Sequence, residues 1–235
     1  APGVEVKIAE TGEVLYKSPG NFLGYYKNKE ATDETLEDGW LHSGDAGYMT
    51  ERGHLKIIDR AKDVSKLNDG TMFAPKYIEN KLKFSPYIKE SVAHGMDRDF
   101  VAVFIDIDYG AVANWAERRH IAFTSYTDLA QKPPVYEFIK NEIHKVNKSL
   151  SEDPKLKNSQ IKRYLLFHKE LNPDDGEITR TRKVRRKFVA EKYGNLIDAL
   201  YTGKDNVDVE ATFTYEDGRT TTMTANLKVR DAETF

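Results

Sequence analysis

A chain of 235 residues can bury a sizeable core as one large or two modest domains, and 39% hydrophobic with 31% charged residues marks a polar globular protein, not a disordered one. A formal charge of −2 gives no general attraction to nucleic acid or acidic membranes. With no cysteine, disulfides, a thiolate nucleophile and cysteine metal sites are excluded, and no apolar run approaches the roughly 20 residues of a membrane-spanning helix.

Val4-Glu5-Val6-Lys7-Ile8 and Glu13-Val14-Leu15-Tyr16 alternate across Thr11-Gly12, which predicts a strand pair. Ala31 to Glu37 predicts a short charged helix, Ser43-Gly44-Asp45 a turn that leaves a carboxylate at its end, and Leu55 to Ile58 a strand entered from Arg52-Gly53. This first stretch is predicted to be β-rich. After Asp59 the pattern becomes mixed. Pro75 suits the first turn of a helix carrying Ile78 and Leu82, and Ser91 to His94 and Phe100 to Ile107 predict neighbouring strands. Pro133-Pro134 introduces an amphipathic helix on which Val135, Phe138, Ile139, Ile143, Val146 and Leu150 recur at three and four. Ser151 to Ser159 reads as a polar linker, Ile161 to Phe167 as a strand, and Asn172-Pro173-Asp174-Asp175-Gly176 as a turn. Arg180 to Lys187 carries six basic residues among eight and leads into a helix toward Tyr193. Val207 to Tyr215 and Thr220 to Val229 flank Glu216-Asp217-Gly218-Arg219, a late hairpin by turn chemistry and alternation.

Candidate chemistry concentrates between residues 40 and 70. The Asp45 carboxylate can accept hydrogen bonds from both vicinal hydroxyls of a ribose, and Arg60, at the end of an apolar run, offers a rigid fork of donors to the same sugar. Taken singly, each residue also has an ordinary reading: Asp45 as a turn acid, Asp59 as a solvated partner of Arg60 or Lys62, and Lys66-Leu67-Asn68-Asp69-Gly70 as a hairpin tip. Arg185, Arg186 and Lys187 read as a solvated helix face. The histidines His42, His54, His94, His120, His144 and His168 never pair at helical spacing beside a carboxylate, so no metal site is expected.

Gly39-Trp40-Leu41-His42-Ser43-Gly44-Asp45, then Gly53 and Asp59-Arg60, resemble in order and spacing the signature of the AMP-forming acyl-CoA synthetases of the adenylate-forming superfamily. The segment Gly176-Glu177-Ile178-Thr179-Arg180-Thr181-Arg182-Lys183 resembles the Gly-Glu-Leu-Thr-Pro-Thr-x-Lys of the long-chain fatty acyl-CoA branch. It departs from the more widespread Gly-Lys form, because Glu177 follows Gly176. The resemblance implies an α+β chain in three parts: residues 1–58 as the β-rich end of a large adenylation domain, 59–60 as a hinge pivoting at Asp59, and 61–235 as a mobile mixed α/β C-terminal domain ending in the late hairpin. It implies that Asp45 and Arg60 bind the ribose of ATP and that Lys183 touches the carboxylate and α-phosphate while acyl-AMP forms. The loop from Lys66 to Gly70 would enter the site for the second half-reaction, Gly70 letting backbone pass close to the pantetheine arm of coenzyme A. ATP, magnesium and coenzyme A are the implied cofactors, and a fatty acid or another carboxylic acid the substrate.

The family's Ser/Thr/Gly-rich phosphate loop, its aromatic-Thr-Glu segment and its fatty-acid tunnel have no counterpart in the sequence. The implied partner is therefore a missing N-terminal adenylation domain or subunit. With Ala1 as first residue, the expectation is an excised or processed piece, inactive alone, cytoplasmic or peripheral at the inner membrane surface. A non-catalytic nucleotide-binding or interaction module, or one half of a split synthetase, is the competing expectation. An RNA-binding role for residues 180–187 is opposed by the acidic balance and the lack of interleaved aromatics.

Overall fold

In the computed structural model, which describes residues 2–214 and 220–235, the opening alternation becomes β1 (Glu5–Ile8) and β2 (Glu13–Lys17), antiparallel with Glu5 opposite Lys17. Helix α1 (Lys29–Thr35) begins two residues before the predicted start because Asn28 caps it, its side-chain oxygen accepting the Ala31 N–H at 3.0 Å. It stops at Thr35 because Leu36 and Glu37 leave as β3 (Leu36–Glu37) to pair with β4 (Trp40–Met49). β5 (Leu55–Arg60) pairs on β4, and the sheet runs β1-β2-β4-β3 with β5 attached to β4. Val14, Leu15, Leu41, Ala46 and Ile58 are its buried apolar residues.

The turn expected at Ser43-Gly44-Asp45 is instead the interior of β4. The register against β2 slips between Glu13 and Leu15, so β4 bulges there. Gly44 takes φ +69°, a conformation that only glycine adopts without strain.

The chain divides into two compact units, Ala1–Ser65 with Ala74–Tyr77, and Lys66–Phe73 with Ile78–Phe235. In the second, β8 (Ile88–His94) and β9 (Val101–Ile107) are antiparallel, and β10 (Ile161–Leu166) lies parallel to β9. That parallel pairing requires a crossover, supplied by α3 (Tyr109–Glu117), α4 (Tyr126–Ala130) and α5 (Pro133–Ser151). Of the apolar stripe on α5, Val135, Ile139, Ile143 and Leu150 are fully buried. The hairpin strands β11 (Asn206–Thr214) and β12 (Thr220–Asp231) are antiparallel, and β12 completes the order β11-β12-β10-β9-β8. The turn expected at Glu216 to Arg219 lies outside the described residues. Helices α6 (Arg186–Lys192) and α7 (Gly194–Tyr201) contribute Val189, Leu196 and Leu200 to the core beside Phe104, Phe167 and Leu227.

Ser151 to Ser159 is not a linker. Leu156 and Ser159 are fully buried, and the Ser159 hydroxyl donates to the Met72 carbonyl. Ahead of it, Asn147 accepts the Ile161 N–H and donates to the Ile161 carbonyl, both at 2.8 Å, fastening α5 to the start of β10.

Two histidines of this core give it a pH dependence. Burial pushes His94 down to about 3 and His168 down to about 4, so both stay neutral in the fold. An unfolded histidine titrates near 6.5, so each contributes stability above that value, lost as pH falls toward the folded one. Asp106 works in the opposite sense. Burial raises it to about 7, and its contribution declines as pH rises from about 4 to 7. His168→Phe keeps a ring against Phe167 and Tyr193 and removes a nitrogen that has no hydrogen-bond partner. Urea titrations should show that this variant loses roughly 2 kcal/mol less than the wild type between pH 6.5 and 5. Equal losses in the two proteins would mean that the His168 ring protonates in the folded state.

Candidate functional site

In the first unit, Asp45 and Arg60 are direct partners across β4 and β5, and Arg60 Nη1 donates to Asp45 Oδ1 at 2.9 Å. The two side chains are 38% and 60% exposed. An ion pair this open contributes little to stability, and Asp45 Oδ2 accepts no hydrogen bond among the described residues. The backbone beneath is held tightly. Ser43 Oγ donates to the Val14 carbonyl at 2.6 Å and accepts the Asp45 N–H at 3.1 Å, while Glu13 accepts the Gly44 N–H at 2.9 Å and contacts His42 Nδ1 at 3.0 Å. The result is an open carboxylate–guanidinium pair on a rigid, bulged strand. Glu13, which organises the bulge, carried no signal in the sequence.

Asp59 is not a solvated partner of the Arg60 guanidinium. Its side chain is buried, with one oxygen accepting the Arg60 N–H at 2.8 Å and the other the Lys76 N–H at 2.7 Å. The latter lies in the first turn of α2 (Pro75–Leu82), where a carboxylate is favoured by the helix dipole.

In the second unit, Lys66 ends β6 (Ser65–Lys66), which pairs with β7 (Met72–Phe73). The loop between is anchored at its base and open at its tip. Asn68 N–H donates to the Arg98 carbonyl at 2.9 Å, and Asn68 Nδ2 to Asp99 Oδ1 at 2.7 Å. Gly70 takes φ +83°, and no heavy atom lies within 4 Å of where a Cβ would stand. Glycine is needed there for the backbone conformation, and the space above it is free.

Lys183 sits on a second small hairpin. Ile178 bridges Val184, Thr179 N–H donates to the Lys183 carbonyl at 2.8 Å, and Lys183 N–H donates to Thr179 Oγ1 at 3.0 Å. The Lys183 ammonium is exposed and has no partner among the described residues. Arg182, immediately before it, has φ +58°. A residue held left-handed is where glycine is least strained, so Arg182 carries a backbone cost that a glycine at this position would not.

Glu177 is a buried anchor for this hairpin. It accepts from Lys192 Nζ at 2.8 Å, Lys169 Nζ at 2.9 Å, the Asn172 N–H at 3.0 Å and the Tyr193 hydroxyl. Burial alone would raise its pKa, but these hydrogen bonds outweigh it and hold the carboxyl below its usual range. Of the residues expected on a solvated face, Arg185 and Lys187 are exposed, and Arg185 Nη1 donates to the Gly176 carbonyl at 3.1 Å. Arg186 departs from that expectation: it is half-buried and donates to the Ala93 carbonyl at 2.8 Å and to Glu79 at 2.6 Å.

The two-unit α/β chain thus carries an open carboxylate–guanidinium pair on one unit and an exposed lysine on the other. Residues 62–205 match the family model described as the AMP-binding enzyme C-terminal domain. The chain belongs to this family of AMP-forming, adenylate-forming enzymes. It is 34% identical over 201 residues to the long-chain-fatty-acid–CoA ligase FadD15 of Mycobacterium tuberculosis, covering 85% of this chain and 33% of that protein. To the human long-chain-fatty-acid–CoA ligase 1 it is 34% identical over 194 residues, covering 81% and 27%. The matched part of the chain therefore spans 27–33% of the length of these relatives. Its fold matches that of about a third of each of two solved adenylation domains. The adenylation domain of the Segniliparus rugosus carboxylic acid reductase, solved with AMP and a co-purified carboxylic acid, matches with a TM-score of 0.59 at 20% identity over 85% of this chain and 32% of that one. The corresponding domain from Mycobacterium chelonae matches with a TM-score of 0.57 at 22% identity over 84% and 30%. Among the described residues no helix is long and apolar enough to cross a membrane.

Proposed function

We propose that this chain is the C-terminal portion of a long-chain fatty acid–CoA ligase. In the first half-reaction a fatty acid carboxylate attacks the α-phosphorus of ATP, giving acyl-AMP and releasing pyrophosphate. In the second, the thiol of coenzyme A displaces AMP and forms the thioester. The observation that carries this reading is the Asp45–Arg60 pair: a carboxylate with one oxygen held by the guanidinium and the other open, on a bulged strand held by the Ser43 and Glu13 hydrogen bonds. It suits two adjacent ribose hydroxyls. The relatives named as long-chain fatty acid ligases support the substrate class.

In this proposal residues 1–58 complete an adenylation domain, Asp59 and Arg60 form the hinge, and residues 61–235 move between the two half-reactions. The partner is the adenylation domain or subunit that supplies the phosphate loop and the acyl tunnel. Lys183 neutralises charge between carboxylate and α-phosphate, and the open loop from Lys66 to Gly70 passes the pantetheine arm. Magnesium would accompany the ATP phosphates. No three His, Asp or Glu side chains gather to hold a cation among the described residues, so no step is assigned to it on this chain.

Asp45→Ala in the intact synthetase should raise the ATP requirement, removing charge-assisted hydrogen bonds of roughly 1.5–3 kcal/mol each. Steady-state kinetics at varied ATP measures this, and an unchanged KM for ATP in a folded variant would return Asp45 to the role of a strand acid. The chain alone should release no pyrophosphate from ATP with magnesium and a panel of fatty acids. Robust turnover would overturn the proposal that it is one portion of the catalyst.

A further inference from the structure

We propose that Arg186 is a positioning residue for Lys183, tying the hairpin that carries the lysine to the open edge of the second unit's sheet. The inference rests on the reading of Lys183 as the adenylating lysine.

β8 is an edge strand, and an edge leaves backbone groups in need of partners. At Ala93 they are found in side chains. The Ala93 N–H donates to Glu79 Oε1 at 2.9 Å and the Ala93 carbonyl accepts Arg186 Nη1 at 2.8 Å, while Arg186 Nη2 reaches Glu79 Oε1 at 2.6 Å. The carboxylate–guanidinium pair stands where a further strand would stand, offering one acceptor and one donor. Glu79 is 3% exposed, and Arg186 is a cation in direct contact with it. A guanidinium can span the carbonyl and the carboxylate together because its donors form a rigid fork, which a lysine ammonium lacks.

Between this clamp and Lys183 the chain has little slack. Arg186 opens α6, and the preceding Arg185 N–H donates to the Glu177 carbonyl at 2.8 Å. Val184 bridges Ile178, and Lys183 exchanges two hydrogen bonds with Thr179. The incoming stem is held by the buried Glu177 carboxylate, the outgoing stem by Arg186. The Lys183 ammonium has no partner of its own among the described residues, so the point from which its side chain reaches out is set by these two anchors. Among the described residues no other member of the basic run reaches the sheet: Arg185 turns back to Gly176 within the hairpin, and Arg180, Arg182, Lys183 and Lys187 are exposed.

The test uses Arg186→Lys, which leaves a cation beside Glu79 but cannot make the fork. In the intact synthetase, pyrophosphate release measures the first half-reaction, and presynthesised acyl-AMP with coenzyme A measures the second. Arg186→Lys should lower kcat of the first about tenfold, leave KM for ATP unchanged and leave the second within about twofold, the pattern of a group felt mainly in one transition state. In a Lys183→Ala background the same substitution should cost less than about twofold more, since nothing remains to be positioned. Hydrogen exchange on the chain itself should be faster at the Arg182 and Lys183 amides and unchanged in β9 and β10. Unchanged adenylation, or a loss that multiplies that of Lys183→Ala, would overturn the inference while leaving the role of Lys183 intact. Loss of protection throughout the sheet would assign Arg186 to global stability and overturn it too. If Lys183→Ala alone left adenylation unimpaired, the underlying reading would fall first, and this inference with it.

Discussion

Lys183→Ala in the intact synthetase is expected to slow acyl-AMP formation about a hundredfold, roughly 3 kcal/mol, the scale of removing one charge-stabilising contact from a dry site. Thioester formation from presynthesised acyl-AMP should be spared. A lysine that neutralises carboxylate and α-phosphate acts only where two anions are brought together, and the proposed movement of residues 61–235 then carries it away. The Lys183 side chain is exposed, on a hairpin pinned through Thr179 and the Ile178–Val184 bridge. Arg182→Gly is the control. Arg182 has φ +58°, so glycine should relieve about 1 kcal/mol of backbone strain while leaving adenylation intact. Equal slowing of both half-reactions by Lys183→Ala would place the adenylating lysine elsewhere.

How much of this was legible depended on how local each cause is. α5 showed itself because its apolar residues recur at helical spacing over five turns behind Pro133-Pro134, and α2 because Pro75 precedes Ile78 and Leu82. α7 did not. It opens at Gly194 and spans only eight residues, so although Leu196, Ile197, Ala199 and Leu200 fall at helical spacing, the pattern is too short to be told from a strand or loop. The parallel neighbour of β9 could not be read either, since a crossover leaves no turn signal to tie two strands together. The same contrast holds at the site. Asp45 and Arg60 are signalled by a motif, but the strand bulge beneath Asp45 is set by Glu13, and Gly44 answers to it from 31 residues away. The ordinary expectation for Arg186 failed because its partner Glu79 lies 107 positions earlier, beyond any local pattern of charge.

Glu177→Lys, which would write the widespread Gly-Lys dipeptide after Gly176, should unfold the second unit and supply no second catalytic lysine. The position is fully buried and faces Lys169 and Lys192, so the substitution sets a third ammonium against two others and removes their acceptor. Breaking a buried pair typically costs about 3–5 kcal/mol, and domains of this kind hold only about 5–15 kcal/mol in all. Glu177→Gln separates charge from shape. It retains an oxygen for the Tyr193 hydroxyl or the Asn172 N–H, and Lys192, at 36% exposure, can rehydrate, so the expected loss at pH 7 is smaller, about 2 kcal/mol. The folded carboxyl titrates below its ordinary value of 4.5. The charge-dependent part of its stabilisation is therefore present above 4.5 and lost as pH falls through the folded value. Urea unfolding of wild type and Glu177→Gln should show a gap that is full at pH 7 and closes progressively below pH 4.5. A gap that persists unchanged into acid would mean that the loss comes from hydrogen bonds the amide cannot make, and that the charge of Glu177 is not what the two lysines stabilise.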